Sequence, residues 1–469
     1  MFTTPYNDYR SLFIGMDTLI PLLDGTSRCY INFDNAASTP ALKAVQQSMD
    51  DFLPYYSSVH RGSGFKSQLS TFAYEQARTI VMEFVGADPN EHTCIFGKNT
   101  TEAINKLAHR LPWDGKRNMV LTSVMEHHSN DLPWRAATRL IHIKLTGDGR
   151  LDEVDFDAQL ARYSDQVALV ALTGASNVTG YINAIHQLAE KVHAIGALFL
   201  VDCAQLAPHR KIDMLSLDNP AHLDFITLSA HKMYAPFGTG ALVGRKDIFE
   251  QGDPDMTGGG TVEIVTLDQV VWTNPPERDE AGSPNVMGAV AMAAAIRQLQ
   301  AVGMPNVAKH EAGLTRYLLE ELAHLPEVRL YGDPHPGTAE QRLGVVPIQL
   351  NNVSHFLAAA VMGYEFGIGV RSGCFCAHPY ILHLLGLSSE ETSAVRQRMF
   401  QGDKSEMPGM LRISFGLYNT RQEVDVLLDA LHVISSGRYK GKYLQDRATG
   451  EYSPLGWQVN LSDYLHLKP

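Results

Sequence analysis

The stretch from residue 167 to 201 constrains the fold most. Val167-Ala-Leu-Val-Ala-Leu-Thr173 is an apolar run, and Ala197-Leu-Phe-Leu-Val201 is a second. Between them, residues 184–195 place apolar side chains at three- and four-residue spacing and stop at Gly196. Two buried strands joined through a helix form a βαβ crossover, the connection that parallel strands require. Strand candidates at 93–96, 118–124 and 224–229 continue the alternation, which predicts an α/β fold with a mostly parallel central sheet.

Each of these strands runs into polar residues that a plain connecting loop does not need. The 93–96 strand leads to Gly97-Lys-Asn-Thr-Thr101 and the 118–124 strand to Glu126-His-His-Ser129. The other three lead to Ser176-Asn177, Asp202-Cys-Ala-Gln205 and Ser229-Ala-His-Lys232. Ligands of open α/β sheets bind beyond the carboxyl ends of the strands, so the five clusters are expected to converge on one site.

Composition narrows the partners. The chain has 469 residues, 45% hydrophobic and 19% charged, enough for a sizeable core without disulfides or structural metals. Its net charge of -12 argues against nucleic acid or an anionic membrane as a main partner. No basic segment precedes an apolar one at the start, and no apolar run is long enough to span a bilayer, so a cytoplasmic protein is expected. Five cysteines (Cys29, Cys94, Cys203, Cys374 and Cys376) lack the spacing of a secreted disulfide framework. Cys374 and Cys376 have no second pair to complete a zinc site, and neighbours such as His127 and His128 point to opposite faces of a strand, so no metal is expected.

After Gly282-Ser-Pro284 the texture changes to a long Ala- and Met-rich helix over 286–302, then to mixed helices and short strands. The expected organisation is an N-terminal arm (1–45) packing with the small domain, a large domain (46–289) and a smaller α+β C-terminal domain (290–435). A C-terminal extension (436–469) is expected to lie over the surface, anchored by aromatic residues.

Three of the clusters suit one cofactor. Gly97 to Ala103 opens a helix near Thr101, where free backbone N–H groups, the helix dipole and two hydroxyls favour a phosphate. Capping of the helix by Thr100 or Thr101 explains the segment about as well. Asp202, at the end of an apolar strand, needs a cationic partner; a protonated pyridine nitrogen would serve, and so would an ordinary Lys or Arg. Lys232, just past a buried strand, sits where a low dielectric makes its amine easier to neutralise, as Schiff-base chemistry requires. Lysines are usually solvated, but the order phosphate cup, ring-nitrogen Asp and Lys, each at a strand end, favours the cofactor.

At this level of detail the chain resembles the cysteine desulfurases and selenocysteine lyases, in the class V aminotransferase group of fold-type I pyridoxal-phosphate (PLP) enzymes. The likeness runs from about Ile31 to Leu431 through many motifs in order. They include Asn32-Phe-Asp-Asn-Ala-Ala-Ser-Thr-Pro40, Ser58-Val-His-Arg61 and Tyr74-Glu-Gln-Ala-Arg78. The resemblance implies pyridoxal 5'-phosphate bound covalently by Lys232, with Asp202 on the pyridine nitrogen and His127 stacked on the ring and able to assist proton transfer. It implies Gln205 on the phenolic oxygen, Asn177 beside the ring, and Thr100, Thr101, Ser229 and His231 around the phosphate. Glu280-Ala-Gly-Ser-Pro-Asn285 resembles a segment that crosses a dimer interface, so Ser283 is expected at the neighbouring subunit's phosphate and a homodimer with shared sites is implied.

Val370-Arg-Ser-Gly-Cys-Phe-Cys-Ala377 resembles the desulfurase loop with Cys376 at the nucleophile's position, and the Gly-Cys-Phe-Cys form also resembles the loop of molybdenum cofactor sulfurases. Leu411-Arg-Ile-Ser-Phe-Gly-Leu-Tyr-Asn-Thr420 resembles the segment whose arginine, here Arg412, binds the substrate carboxylate, a task suited to a planar guanidinium. Arg371 assists or braces the loop. The implied reaction removes sulfur from L-cysteine to give alanine and a persulfide on Cys376, for a possible sulfur-acceptor protein. The alternative is a C–S or selenocysteine lyase that eliminates without a protein persulfide. Cys374 and Cys203 are expected to be packing residues. The segment between Cys376 and Arg412 is longer than compact desulfurases need: a helical insert over 380–408, with Ser388-Ser-Glu-Glu391 as a capping box and an end near Gly402. It is read as a lid or docking surface, or as a restriction on substrate access.

Overall fold

The computed structural model describes residues 9–113 and 115–465. The first eight residues of the expected arm and the last four of the expected extension lie outside them.

Seven strands form the central sheet: β1 (His92–Gly97), β2 (Met119–Ser123), β3 (Arg139–Ile143), β4 (Val167–Thr173), β5 (Leu198–Asp202), β6 (Phe225–Ser229) and β7 (Gly240–Arg245). Their order is β1-β7-β6-β5-β4-β2-β3. Only β7 runs against its neighbours, β1 and β6; the remaining pairs are parallel, so the other six strands all end on one edge. The sheet is α/β and mostly parallel, as the sequence predicts. β3 and β7 were not among the predicted strands. β3 lies at an edge and is only partly buried, and β7 carries two glycines, which weaken a strand signal.

The apolar runs are continuous because both faces are covered. Along β4, Val170 and Leu172 face one core, and Leu169 and Ala171 face another. The first core joins the sheet to helices α1 (Lys43–Phe52), α2 (Phe65–Phe84), α4 (Ile185–Ala194) and α5 (Val286–Val302). The second joins it to α3 (Thr100–Arg110). α5 matches the predicted Ala- and Met-rich helix, and at Gly303 the chain turns by 77° into α6 (Met304–Leu322). Gly303 has φ of 87°, a conformation that would strain any side chain. Among the described residues, no single helix is long and apolar enough to cross a membrane.

A second, antiparallel sheet follows, with β8 (Val328–Leu330), β9 (Val345–Leu350), β10 (Arg371–Gly373) and β11 (Met410–Ser414) in the order β8-β9-β11-β10. It packs on α6, α7 (His355–Phe366) and α10 (Arg421–Ser435) through a core of its own. Between β10 and β11 lie α8 (His378–Leu385) and α9 (Ser389–Phe400). The capping box of α9 forms, Ser388 Oγ accepting from the Glu391 N–H and the Glu391 carboxylate accepting from the Ser388 N–H. No residue of α9 is buried, so the helix stands on the surface.

The C-terminal segment is more regular than its sequence suggests. Residues 443–445 and 452–454 pair as a short hairpin, and Tyr443 and Trp457 both contact Tyr364 of α7.

At the starting edge of the parallel strands, Asp224 ties the sheet together. Its carboxylate accepts from the Phe199 N–H at 2.8 Å, His193 Nε2 at 2.9 Å, His222 Nε2 at 3.3 Å and Arg245 Nη1 at 3.2 Å. Burial alone would raise its carboxyl, but the bonds from His193 and His222 outweigh burial and hold it well below the usual carboxylate range. For His222, burial would lower the imidazole, yet its bonds to Asp224 and to the Asn219 carbonyl leave it raised. Charged His222 therefore contributes stability that is complete below its ordinary value of 6.5 and is lost as pH rises through the raised folded value. Asp224 contributes above the ordinary carboxylate range and loses that only in strong acid. We expect chemical denaturation from pH 6 to 9 to show a stability decline that His222→Gln flattens. Asp224→Asn should cost about 3 kcal/mol, because it leaves charged His222 buried without its carboxylate, while Arg245 keeps Asp247.

Candidate active site

The five predicted clusters do converge. Residues Thr100, Thr101, His127, Asn177, Asp202, Gln205, Ser229, His231 and Lys232 all line one cavity of about 420 Å³ at the carboxyl edge of the sheet. Arg371, Cys376 and Arg412, from the second sheet and its loop, close the other side. Ser283 is not among the lining residues. It lies on a second cavity of about 790 Å³ together with Ser58 and Arg61.

One end of the cavity is a cup of hydroxyls and helix N–H groups. Asn99 caps α3, its side chain accepting from the Glu102 N–H, which leaves Thr100 and Thr101 free of that task. The Thr100 N–H and the Ser229 hydroxyl are linked at 3.0 Å, and Thr100 Oγ1 accepts from Ser229 Oγ at 3.0 Å. β7 supports the turn closely: a Cβ on Gly240 would lie 2.5 Å from the Leu228 carbonyl and 2.6 Å from the Asn99 Cα.

His127 is fixed from the same side. The Ser129 N–H donates to its Nδ1 at 3.1 Å, and Ser129 Oγ lies 3.0 Å from Nδ1 and 2.7 Å from Thr101 Oγ1. Burial, helped by nearby Lys232, pushes the imidazole down to about 3, so the ring is neutral. With Nδ1 accepting, its proton resides on Nε2. The preceding Glu126 is fully buried and accepts from Ser123 Oγ at 2.5 Å and Asn130 Nδ2 at 2.8 Å. Burial pushes it up to about 8 despite those bonds, so it pins the turn as a largely neutral carboxyl.

At the opposite end Asp202 is buried, with Oδ1 accepting from the Ala204 N–H at 2.9 Å. Burial raises its carboxyl, while that bond and Lys232 pull the other way. Lys232 sits on a single turn after β6 (Ala230–Lys232), where burial pushes its amine down to about 8 against the pull of Asp202. Arg412 adds to the lowering and Cys376 opposes it. His231 is pushed down to about 4 by burial and by Lys232, so it is a neutral hydrogen-bonding group.

Asn177 ties the two halves together. Its Nδ2 donates to the Phe375 carbonyl at 2.8 Å, and its own carbonyl accepts from Arg412 Nη1 at 3.1 Å. Phe375 and Cys376 are both left-handed, with φ of 52° and 54°. The His128 N–H holds the Cys376 carbonyl at 2.8 Å, and the His378 N–H reaches His128 Nε2 at 3.3 Å. Cys376 is exposed, whereas Cys374 is buried with its thiol on the Pro408 carbonyl, and Cys203 is buried.

Sequence reasoning missed several participants. Asp34 bridges Arg412 and Arg371, at 2.8 and 3.2 Å. Ser129 and His378 orient His127 and the cysteine loop through their partners, and Asn99 is the helix cap. Asp34 lies inside the quoted 32–40 motif, but a lone aspartate there carries no sign of its arginine partners, which are more than 300 residues away. The 32–40 motif does more than open the fold: the Ala36 carbonyl accepts from Gln205 Nε2 at 2.7 Å, and Thr39 Oγ1 donates to the His231 carbonyl at 2.9 Å. The Tyr74–Arg78 motif is a buried node in which Tyr74 and Arg78 both bind Glu280, each at 2.8 Å.

The chain is similar to known proteins over most of its length. Residues 31–427 match the aminotransferase class-V family. The chain is 33% identical to a cysteine desulfurase of Haloferax volcanii, across 87% of this chain and 89% of that one. It is 33% identical to a cysteine desulfurase of Dickeya dadantii, across 88% and 93%. Among solved structures it is similar to the apo cysteine desulfurase of Thermococcus onnurineus, with a TM-score of 0.75 at 32% identity over 87% of this chain and 95% of that one. It is also similar to the cysteine desulfurase CsdA of Escherichia coli, with a TM-score of 0.73 at 28% identity over 90% and 96%.

The contrast between the thiols is directly measurable. Burial pushes Cys94 and Cys374 each up to about 12 and Cys203 well above the usual thiol range, whereas Cys376 is exposed. Brief treatment with iodoacetamide at neutral pH should alkylate Cys376 at least ~10-fold faster than those three, read by peptide mass spectrometry. Equal labelling of Cys374 and Cys376 would contradict the loop geometry.

Proposed function

The chain belongs to the class-V aminotransferase family and, within it, to the cysteine desulfurases, and on that premise we propose that it removes sulfur from L-cysteine, leaving alanine and a persulfide on Cys376. The observation that carries this reading is the meeting of Lys232, Arg412 and the exposed Cys376 on one cavity.

Enzymes of this family depend on pyridoxal phosphate, and the donor set fits it. The hydroxyl-lined helix terminus at Thr100 and Thr101, with Ser229 and neutral His231, suits the phosphate. Buried Asp202 suits a pyridinium nitrogen, a flat neutral His127 suits the ring face, and Gln205 and Asn177 flank it. Lys232, whose amine loses its proton near pH 8, is the point of covalent attachment. When bound, the cofactor supplies an electron sink that weakens bonds at the substrate's α and β carbons.

The protein's own groups do the rest. Arg412, with Arg371 beside it, receives the substrate carboxylate and orients the amino acid. Lys232 and His127 Nε2 are the groups placed to hold and move protons around the substrate. The Cys376 thiolate attacks the substrate sulfur, forming an S–S bond as the Cβ–S bond breaks. The electron pair of that bond goes to carbon, which takes a proton to give alanine. A second subunit completes the arrangement in our reading: Ser283, away from its own cavity, serves the phosphate of a partner site in a homodimer. The persulfide then passes to an acceptor protein at the exposed Cys376. In the same reading, residues 46–289 supply the cofactor side of the site and residues 290–435 the thiol and arginine side, with the 380–408 insert beside the cysteine.

Cys376→Ala should lower alanine formation from L-cysteine by at least ~100-fold while leaving the visible absorbance of the holoprotein in place. Turnover retained in that variant would instead assign an eliminating lyase. A second outcome concerns pH. Attachment of the cofactor needs the uncharged amine, so the rate of absorbance gain when apoprotein meets pyridoxal phosphate should climb as pH passes about 8 and then level. Lys232→Ala should show no such gain.

A further inference from the structure

Two parts of the chain that the sequence presents as unrelated meet behind the cysteine loop. One is the segment 403–409, which returns from the exposed helix α9 to β11. The other is the hairpin at 443–454 in the C-terminal extension, beyond residue 427, where the family match ends. Gln445 Nε2 donates to the Ser405 carbonyl at 2.8 Å and to the Gly450 carbonyl at 3.0 Å, so one amide joins segment and hairpin. The Lys404 N–H donates to the Arg447 carbonyl at 2.8 Å. Gly450, with φ of 81°, packs so closely that a Cβ there would lie 2.7 Å from both the Lys404 carbonyl oxygen and the Phe356 ring. The ion pair of Arg447 with Asp403 is more exposed, and such pairs add little.

Helix α7 is the floor beneath both. Near its C-terminal end, Glu365 accepts from the Lys440 and Gly441 N–H groups, each at 2.8 Å, and from Tyr443 Oη at 3.0 Å. At its N-terminal end, His355 Nε2 donates to the Met407 carbonyl at 3.0 Å. The next carbonyl, of Pro408, accepts from the Cys374 thiol at 3.1 Å. Gly409 then lies against β10, where an added Cβ would be 2.7 Å from the Gly373 Cα, and its carbonyl accepts from Gln349 Nε2 at 2.7 Å. The hairpin thus bears on one end of the segment, and the other end seats Cys374, two positions before Cys376.

We propose that the C-terminal hairpin is a positioning element for the sulfur-transfer step. By holding 403–409 it seats Cys374, and that seat sets the reach of the Cys376 thiol into the cavity. This rests on the reading of Cys376 as the sulfur-accepting thiol. Asn177 and His128 hold the loop at Phe375 and Cys376, and Cys374 is its third point of attachment. Losing that point lets the left-handed turn relax, because such a conformation persists only where its surroundings hold it. The groups assigned to the cofactor stand at the ends of the first sheet and keep their own contacts. Gln445 and Gly450 are positioning residues; neither lines the cavity.

The test compares Gln445→Ala and Gly450→Ala with wild type, each as holoprotein. Both variants should speed alkylation of Cys374 by iodoacetamide about 5-fold or more, because its seat opens. Both should lower kcat for alanine formation from L-cysteine by about 10-fold, since small misplacements of a reacting group are costly. KM and the visible absorbance of the cofactor should stay within about 2-fold of wild type. A role limited to folding would instead reduce absorbance and turnover together. Should Gly450→Ala fail to fold, Gln445→Ala decides the matter, because it removes two hydrogen bonds at a partly buried site without adding bulk. Unchanged Cys374 labelling, or faster labelling with kcat unmoved, overturns the proposal, and so does a fall in kcat matched by loss of absorbance. If wild type itself forms no alanine while Cys374 labelling rises in the variants, the desulfurase reading fails and the hairpin's hold on the loop stands.

Discussion

A sheet covered on both faces tolerates few polar groups along its strands, and the rest of this protein follows from that constraint. The side chains of β4 and β5 are apolar until the strands end, and β6 departs from this only at Thr227, because a polar atom between the two cores is costly to bury. Chemistry is therefore confined to the strand ends. Since six of the seven strands run in one direction, Thr100, His127, Asn177, Asp202 and Lys232 arrive at one edge from distant points in sequence. β7, the antiparallel strand, contributes close backbone support: Gly240 lets the Asn99 cap sit against the sheet.

The second sheet completes the site through a few reciprocal bonds. Asn177 takes Arg412 on its carbonyl and gives its amide to Phe375, so the strand-end turn of one sheet sets both Arg412 and the cysteine loop of the other. The 32–40 segment makes a parallel link, touching Arg412 through Asp34, Gln205 through the Ala36 carbonyl and the lysine turn through Thr39. Displacing any one of these partners strands another in a buried setting, which is why such networks hold a single geometry.

The parts that periodicity and strand-end chemistry govern were legible in the sequence. The 167–201 crossover, the 286–302 helix and the Ser388 capping box are all local patterns, and each forms as read. The convergence of the five clusters followed from topology alone. What escaped was decided by distant partners. β7 has two glycines and gains its strand conformation from β1 and β6 on either side. Asp34 gains meaning only when β10 and β11 bring two arginines to it, and His378 only because the loop folds back on His128. The hairpin at 443–454 was hidden because three-residue strands are too short to show a period.

The cysteine loop shows how the same network supports a conformation the chain would not choose locally. Two consecutive non-glycine residues in the left-handed region cost on the order of 1–3 kcal/mol each, and nothing in Gly-Cys-Phe-Cys-Ala announces them. Three contacts offset the cost: Asn177 on the Phe375 carbonyl, the His128 N–H on the Cys376 carbonyl, and the Arg412 guanidinium 5.0 Å from the centre of the Phe375 ring. Phe375 is buried by that packing, and the reversal it makes is what brings the next side chain out to solvent at the cavity mouth. A loop in ordinary extended backbone would alternate its side chains and send Cys374 and Cys376 the same way. Here one thiol is buried on the Pro408 carbonyl and the other is exposed. The strain is thus the physical source of the difference between two cysteines that the sequence presents as near equivalents.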